Sequence, residues 1–164
     1  MATAVHISSV YEWLEEIHDP EIPVLSLLDL GVIRKVEILA DNKLEITITP
    51  TYSGCPAMDT MEREIRERLT AEGFEVSVLT SISPAWTTDW MTENGKKKLE
   101  AYGIAPPAES TTDKSFLTGH AKIIRCPQCK STHTDMISHF GSTACKSLYK
   151  CTDCLEVFDY FKCI

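Results

Sequence analysis

The sequence predicts an α+β protein: a small three-stranded sheet with packed helices, followed by a small four-cysteine ribbon domain. Three observations lead there. Hydrophobic spacing in the first hundred residues switches between helical and alternating patterns. The segment Ile104-Ala-Pro-Pro-Ala-Glu-Ser-Thr-Thr-Asp113 then has a proline pair, small polar residues and no apolar period, which reads as a linker. Six of the seven cysteines lie beyond it, so the two sides are chemically distinct. The expected organisation is a domain over 1–105, a linker over 106–119 and a second domain over 120–164.

In the first domain, Val10, Leu14 and Ile17, with Trp13 beside them, give one helix an apolar face, and Asp19-Pro20 ends it. Alternation follows in 32–38 and 44–48. The connection 40–43 suits a hairpin turn, so these strands should be antiparallel. Met58, Met61, Ile65 and Leu69 recur at helical spacing, with Glu62/Arg66 and Glu64/Arg68 as i,i+4 pairs on the outer face. Gly73 is a natural stop. Phe74, Val76 and Val78 alternate as a third strand, and a last short helix is expected over 92–102, closed by Gly103. Trp86, Trp90 and Tyr102 read as packing for that helix or as an exposed aromatic patch.

The second domain reads as short strands at 121–125, 132–138, 148–150 and 157–161 around cysteine turns. Forty-odd residues barely close a core unaided, and a metal is the usual remedy. Cys126-Pro-Gln-Cys129 and Cys151-Thr-Asp-Cys154 are two C-x2-C knuckles with 21 residues between them. Each tight turn aims two thiolates the same way, and four complete a tetrahedral shell. Such a closed site is a structural staple. Zinc suits it, although iron also accepts four thiolates. Cys145 and Cys163 are extra thiols, read either as small buried apolar groups or, for Cys145, as a resolving thiol or a ligand to a second metal. His133 and His139 are candidate substitute ligands.

The lone N-terminal cysteine is Cys55, in Thr49-Pro-Thr-Tyr-Ser-Gly-Cys-Pro56. Pro56 suits the first helical position, which places Cys55 at or beside the N-cap, at the positive end of the helix dipole. A thiol there favours its thiolate and has the makings of a nucleophile or soft-metal ligand. Thr51 and Ser53 are placed to donate to it. Asp19, Glu21 and Asp29 occur in the loop between the first helix and first strand. Acid–base work, metal ligation and loop capping are open to them.

Composition narrows the function classes. No run of eighteen apolar residues exists, which excludes a membrane-spanning helix. The N-terminus lacks a basic region and an unbroken apolar core, so no export signal is expected, and the cysteines belong to a reducing compartment. Residues 1–105 hold 9 Lys+Arg against 18 Asp+Glu, and residues 106–164 hold 7 against 6. That balance opposes a nucleic-acid surface. There is no phosphate-binding glycine loop and no nucleophile elbow. One Glu-x-x-His, Glu15 to His18, lacks the second copy that a di-iron bundle needs.

Asp19-Pro-Glu-Ile-Pro-Val24, Asp29-Leu-Gly31 and Thr51-x3-Cys55-Pro56 resemble the SufT-like domain family of iron–sulfur cluster assembly. PAWTTDWM (84–91), YGIAPP (102–107), CPQC (126–129), FGSTACKSLYKC (140–151) and FDYFKCI (158–164) resemble the PaaD (PaaJ) family of phenylacetate-degradation proteins, accessory subunits of phenylacetyl-CoA 1,2-epoxidase. The resemblance covers essentially the whole chain. It implies a bacterial cytoplasmic, non-catalytic accessory or maturation factor. Its partners would be the epoxidase's di-iron oxygenase and iron–sulfur flavoprotein reductase subunits, with self-association left open. It places Cys55 on the family's signature cysteine, and the leading expectation built on it makes Cys55 a thiolate for transient iron or an iron–sulfur cluster. Asp19, Glu21, Asp29 and Thr51 would shape its pocket. The knuckles Cys126, Cys129, Cys151 and Cys154 become a structural zinc ribbon. The alternative is a scaffold subunit with no part in metal transfer.

Overall fold

A computed structural model of the chain describes residues 5–107 and 123–162. It contains α1 (Ile7–Glu15), α2 (Leu27–Leu30), β1 (Ile33–Ala40), β2 (Lys43–Ile48), α3 (Met58–Ala71), β3 (Glu75–Thr80), α4 (Glu93–Tyr102), β4 (Ile104–Ala105), β5 (Thr134–Ser138), β6 (Lys146–Cys151) and β7 (Val157–Phe161). Strands β1, β2 and β3 form one sheet in that order, and a second sheet runs β4-β7-β6-β5. The mixed α+β class and the three-stranded sheet are as the hydrophobic pattern requires. Contacts divide the chain into two compact units, residues 1–86 with 90–92, and residues 87–89 with 93–164.

In the first unit β1 and β2 are an antiparallel hairpin whose last pair is Ala40 with Lys43. Helix α3 then carries the chain over the sheet, so β3 returns parallel to β2. The apolar positions of each element converge on one interior. Val10 and Leu14 of α1, Leu44, Ile46 and Ile48 of β2, and Met61, Ile65 and Leu69 of α3 are all buried. Helix α1 stops at Glu15, short of Asp19-Pro20, and Ile17 is buried from the loop that follows. Of the two ion pairs expected on α3, Arg66–Glu62 forms at 2.6 Å. Arg68 instead engages Glu16 of the α1 end at 2.7 Å and Glu72 at 2.6 Å, not Glu64, because its chain lies over the Trp13 ring.

In the second unit β5, β6 and β7 form an antiparallel meander, and β4 adds to β7 in parallel. Of the strand expected at 121–125, residues 123–125 are irregular, and 121–122 lie outside the described residues. The fourth strand is Ile104–Ala105 instead. Helix α4 and β4, which the sequence groups with the first domain, make their contacts in this unit. The reason is visible in the core. Ala105 joins Ile124, Cys126, Tyr149, Cys151, Phe158 and Tyr160 in one buried cluster, which the ribbon strands alone would leave open on one side. Of the expected linker, only Pro106 and Pro107 are described.

Candidate metal centre and the Cys55 turn

The two knuckles are built alike. In each, the first cysteine's N–H donates to the carbonyl five residues on: Cys126 N to Ser131 O, and Cys151 N to Glu156 O, both at 2.8 Å. In each, the residue after the second cysteine is left-handed, Lys130 at φ 65° and Leu155 at φ 64°. That reversal curls the chain so both sulfurs point inward. The four sulfurs all lie within 4.8 Å of one another. Cys126 and Cys154 are 3.7 Å apart, and Cys129 and Cys151 are 3.5 Å apart. Zinc–sulfur bonds of about 2.3 Å place the corners of a tetrahedron about 3.8 Å apart, so the cage fits a zinc ion.

The electrostatics point the same way. N–H donors of Cys154 and Asp153 hold the Cys151 thiol down to about 7. The Glu156 N–H favours the Cys154 thiolate, yet desolvation and the three neighbouring thiols push it up to about 12. Cys129 is likewise raised, although the Ser131 N–H opposes the shift, because desolvation and nearby sulfurs outweigh it. Four thiols this close do not all ionise unless a cation neutralises them. Cys126 and Cys151 are buried and Cys129 and Cys154 exposed, so the cage sits half in the core. All four shell positions are protein sulfur, which leaves none for a substrate.

The histidines stay out of this cage. His133 pairs with Asp153 at 3.0 Å, and the His139 carbonyl accepts from Lys162 and Ser147. Cys145 is buried, with its sulfur 3.0 Å from the Thr143 hydroxyl, and among the described residues it joins no group of three metal-ligating side chains. Cys163 lies outside the described residues.

Cys55 is half-buried in the turn between β2 and α3. Its N–H donates to Tyr52 O at 3.1 Å, and its carbonyl accepts from Met58 N at 3.4 Å. The helix proper starts at Met58 with Ala57 as N-cap, so Cys55 stands two residues ahead of the cap instead of at or beside it, and Pro56 precedes the first helical position. One extra turn precedes the helix, closed by the Met58 N–H on the Cys55 carbonyl, and Ala57 within it is at φ −75° and ψ −13°. Thr51 lies four residues earlier in the same irregular segment.

The acidic residues are structural where the structure details them. Asp19 is 6% exposed, and its Oδ1 accepts from Glu21 N at 2.6 Å and Ile22 N at 2.9 Å. It therefore caps the 19–22 turn, and its own N–H donates to Leu25 O, which closes the 19–25 loop. Asp29 is 4% exposed, and its Oδ1 accepts from the Thr92 hydroxyl at 2.7 Å. Among the described residues, Cys55 forms no three-ligand group with Asp19, Glu21 or Asp29.

Thr92 ends a strap whose place the sequence pattern does not reveal. Trp86 is buried and donates from Nε1 to Leu30 O at 3.0 Å. The Trp90 ring lies under the Arg34 guanidinium, 3.6 Å from the centroid, and its backbone presses on Gly31. Both tryptophans therefore pack the α2–β1 corner, not the last helix, while Tyr102 is exposed. Gly31 has φ 76°, and a Cβ there would meet Trp90 Cβ at 2.8 Å and its carbonyl closer still. Only glycine fits. Helix α2 and this strap have no clear signal in sequence: α2 is one turn, recognisable only by the Ser26 hydroxyl accepting from Asp29 N at 3.0 Å.

An assembly-type α+β unit joined to a four-thiolate ribbon is the class of protein that this fold and centre define. Residues 7–79 match the family described as iron–sulfur cluster assembly protein, and residues 110–162 match the PaaD zinc β-ribbon domain. A protein of Escherichia coli (strain K12), named for one of the subunits of 1,2-phenylacetyl-CoA epoxidase, is 48% identical over 96% of this chain and 93% of its own. The chain belongs to that PaaD family. An Fe-S protein maturation auxiliary factor of Porphyromonas gingivalis is 33% identical over 55% of this chain and 87% of its own. Among solved structures, a DUF59 domain from Bacillus anthracis aligns at TM-score 0.53 and 26% identity, covering 56% of this chain and 89% of that one. The hypothetical protein TM0487 from Thermotoga maritima aligns at TM-score 0.52 and 25% identity, covering 60% of this chain and 98% of that one. Among the described residues no helix is long and apolar enough to cross a membrane.

Proposed function

We propose that the chain is a non-catalytic accessory factor that matures a metal centre of the multicomponent phenylacetyl-CoA 1,2-epoxidase, either the iron–sulfur cluster of the reductase or the di-iron site of the oxygenase. The carrying observation is a division of thiols. Four cysteines close a structural cage, and Cys55, half-buried in the β2–α3 turn, is the one cysteine of residues 1–105. Cys55 is the thiolate for the transferred iron or cluster, which is cargo rather than a resident cofactor. Asp19 and Asp29 act indirectly, by fixing the loops of the pocket, with Glu21 and Thr51 at its rim. The ribbon holds zinc and helps dock the client in the bacterial cytoplasm. The family and the maturation-factor relatives support this reading.

The test is complementation of a deletion strain with wild type or Cys55→Ala, followed by iron and acid-labile sulfide assays on the purified epoxidase components. Wild type should restore both contents and Cys55→Ala should not. Full restoration by Cys55→Ala sinks the reading. The relative named as an epoxidase subunit favours a second reading, a scaffold without a metal-transfer role. That reading requires co-purification with the oxygenase at fixed ratio and indifference to Cys55 substitution.

A further inference from the structure

Three of the four outer strands of the two sheets are blunted against pairing. Strand β1 carries Arg34, Lys35 and Glu37 and two register shifts. Strand β5 carries Asp135 and a register shift after Met136. Strand β4 is two residues long and runs into Pro106-Pro107. Charge, irregularity, shortness and proline are the usual protections of a sheet edge.

Strand β3 has only one of them, the charge of Glu75 at its first position, which is paired with Lys43. Its six residues pair with β2 in unbroken register. No charged side chain occurs from Val76 to Thr88, and the first proline is Pro84. The bonds at its ends fix which groups face outward. Glu75 N donates to Asn42 O at 2.7 Å and Ser81 N to Ile48 O at 2.8 Å, so odd-numbered residues bond toward β2. Val76, Val78 and Thr80 therefore turn N–H and C=O to the open side. Arg66 covers the Val76 carbonyl at 2.9 Å. Among the described residues nothing pairs with Val78 or Thr80 there. Leu79, 48% exposed, and Ile82, 71% exposed, stand beside this edge.

We propose that the β3 edge is a docking strand for an extended segment of a basic partner protein, which joins the sheet as its fourth strand. Main-chain hydrogen bonds to Val78 and Thr80 would supply the pairing, and an apolar partner residue would cover half-buried Val78. Charge selects the occupant. The edge is neutral, but residues 1–105 hold 18 acidic against 9 basic side chains, so a second copy is repelled and a Lys/Arg-bearing segment is steered in. The choice of probe rests on the epoxidase reading above.

The experiment uses the full zinc-loaded chain, titrated separately with purified oxygenase and reductase components of the epoxidase. Val78→Pro removes an outward donor without breaking a bond to β2, and Thr80→Lys adds a charge to the edge. Circular dichroism and melting confirm that both variants fold. The expected result is that one component binds wild type, weakens as salt rises from about 50 to about 300 mM, and binds each folded variant at least about tenfold more weakly. Unchanged affinity in the folded variants overturns the proposal, as does absence of binding to either component. A wild-type dimer abolished by Val78→Pro also overturns it and assigns the edge to a second copy. Edge binding that persists while Cys55→Ala restores normal cluster content sinks only the maturation reading.

Discussion

The two compact units are stabilised by different means. The first has an interior of aliphatic side chains drawn from α1, α2, β1, β2 and α3, with Leu14, Ile46, Ile65 and Leu69 fully buried. The second gathers seven buried residues into its principal cluster, and two of these are metal-ligand cysteines. Where the first unit has enough apolar area to fold around, the second sets a four-cysteine cage at the side of a core too small to hold by itself. The difference teaches where chemistry can occur. A cage that holds a domain together is closed and committed, whereas the cysteine of the first unit, Cys55, stands outside any such cage among the described residues.

The largest expected effect breaks the comparison at the metal. A strong chelator, or Cys151→Ser, should unfold the ribbon and leave the first unit intact, since apparent zinc-binding energies of about 10–16 kcal/mol exceed the stability of such a small core. Amide NMR checks this: signals of β5, β6 and β7 should collapse while those of β2 and α3 stay dispersed. Loss of both sets together would show that the first unit depends on the ribbon.

The next effect sharpens the account of the first unit. Gly31→Ala imposes both a left-handed φ of 76° and a collision with the Trp90 backbone, whereas Gly73, at φ 93°, has nothing within 4 Å of its would-be Cβ. Conformation alone costs about 1–2 kcal/mol, so Gly73→Ala should lose that much. Gly31→Ala should lose more, about 3–4 kcal/mol, because the strap must also shift. Urea denaturation followed by Trp fluorescence separates the two. Equal losses would mean that the strap yields freely.

That strap also shows what sequence can and cannot reveal. The hairpin, α3 and β3 were legible because their apolar residues recur at the period of the element that buries them, and the cage because C-x2-C spacing constrains sulfur geometry locally. Neither period nor spacing encodes which distant surface a tryptophan meets. Trp86 donates across 56 positions to Leu30, so nothing near it in sequence announces the α2–β1 corner. Asp29 was legible as a polar loop residue but not as the acceptor for Thr92. Cys55 was legible as the thiol of a strand–helix turn, while the helix start moved by two residues because a separate turn, closed by Met58 N on Cys55 O, comes before it. Strand β4 was invisible because two residues make no pattern, and only its partner β7 defines it.

A smaller effect tests whether the strap's hydrogen bond matters beyond its packing. Trp86→Phe retains an aromatic ring but removes the Nε1 donor, leaving the buried Leu30 carbonyl without that partner. The expected loss is about 1–3 kcal/mol by chemical denaturation, with zinc content of the ribbon unchanged. A neutral result would assign the strap's hold to Trp90 and Thr92.

The smallest effect concerns the surface clasp between α1 and α3. Arg68 hydrogen bonds both Glu16 and Glu72, and its hydrogen bond holds the Glu16 carboxyl below its ordinary range. A carboxylate whose folded pKa is depressed stabilises the fold above its unfolded pKa. It loses that contribution as pH falls through the folded value. Glu16→Gln should therefore melt slightly below wild type at neutral pH, and the gap should close on acidification through the carboxylate range. Glu16 is exposed and Arg68 only half-buried, so salt should shrink the same gap at neutral pH. Melting curves of the two proteins across pH, at low and high salt, decide the matter. A gap independent of both would assign the effect of Glu16 to helix α1 itself, and the two elements would then be joined by their apolar faces alone.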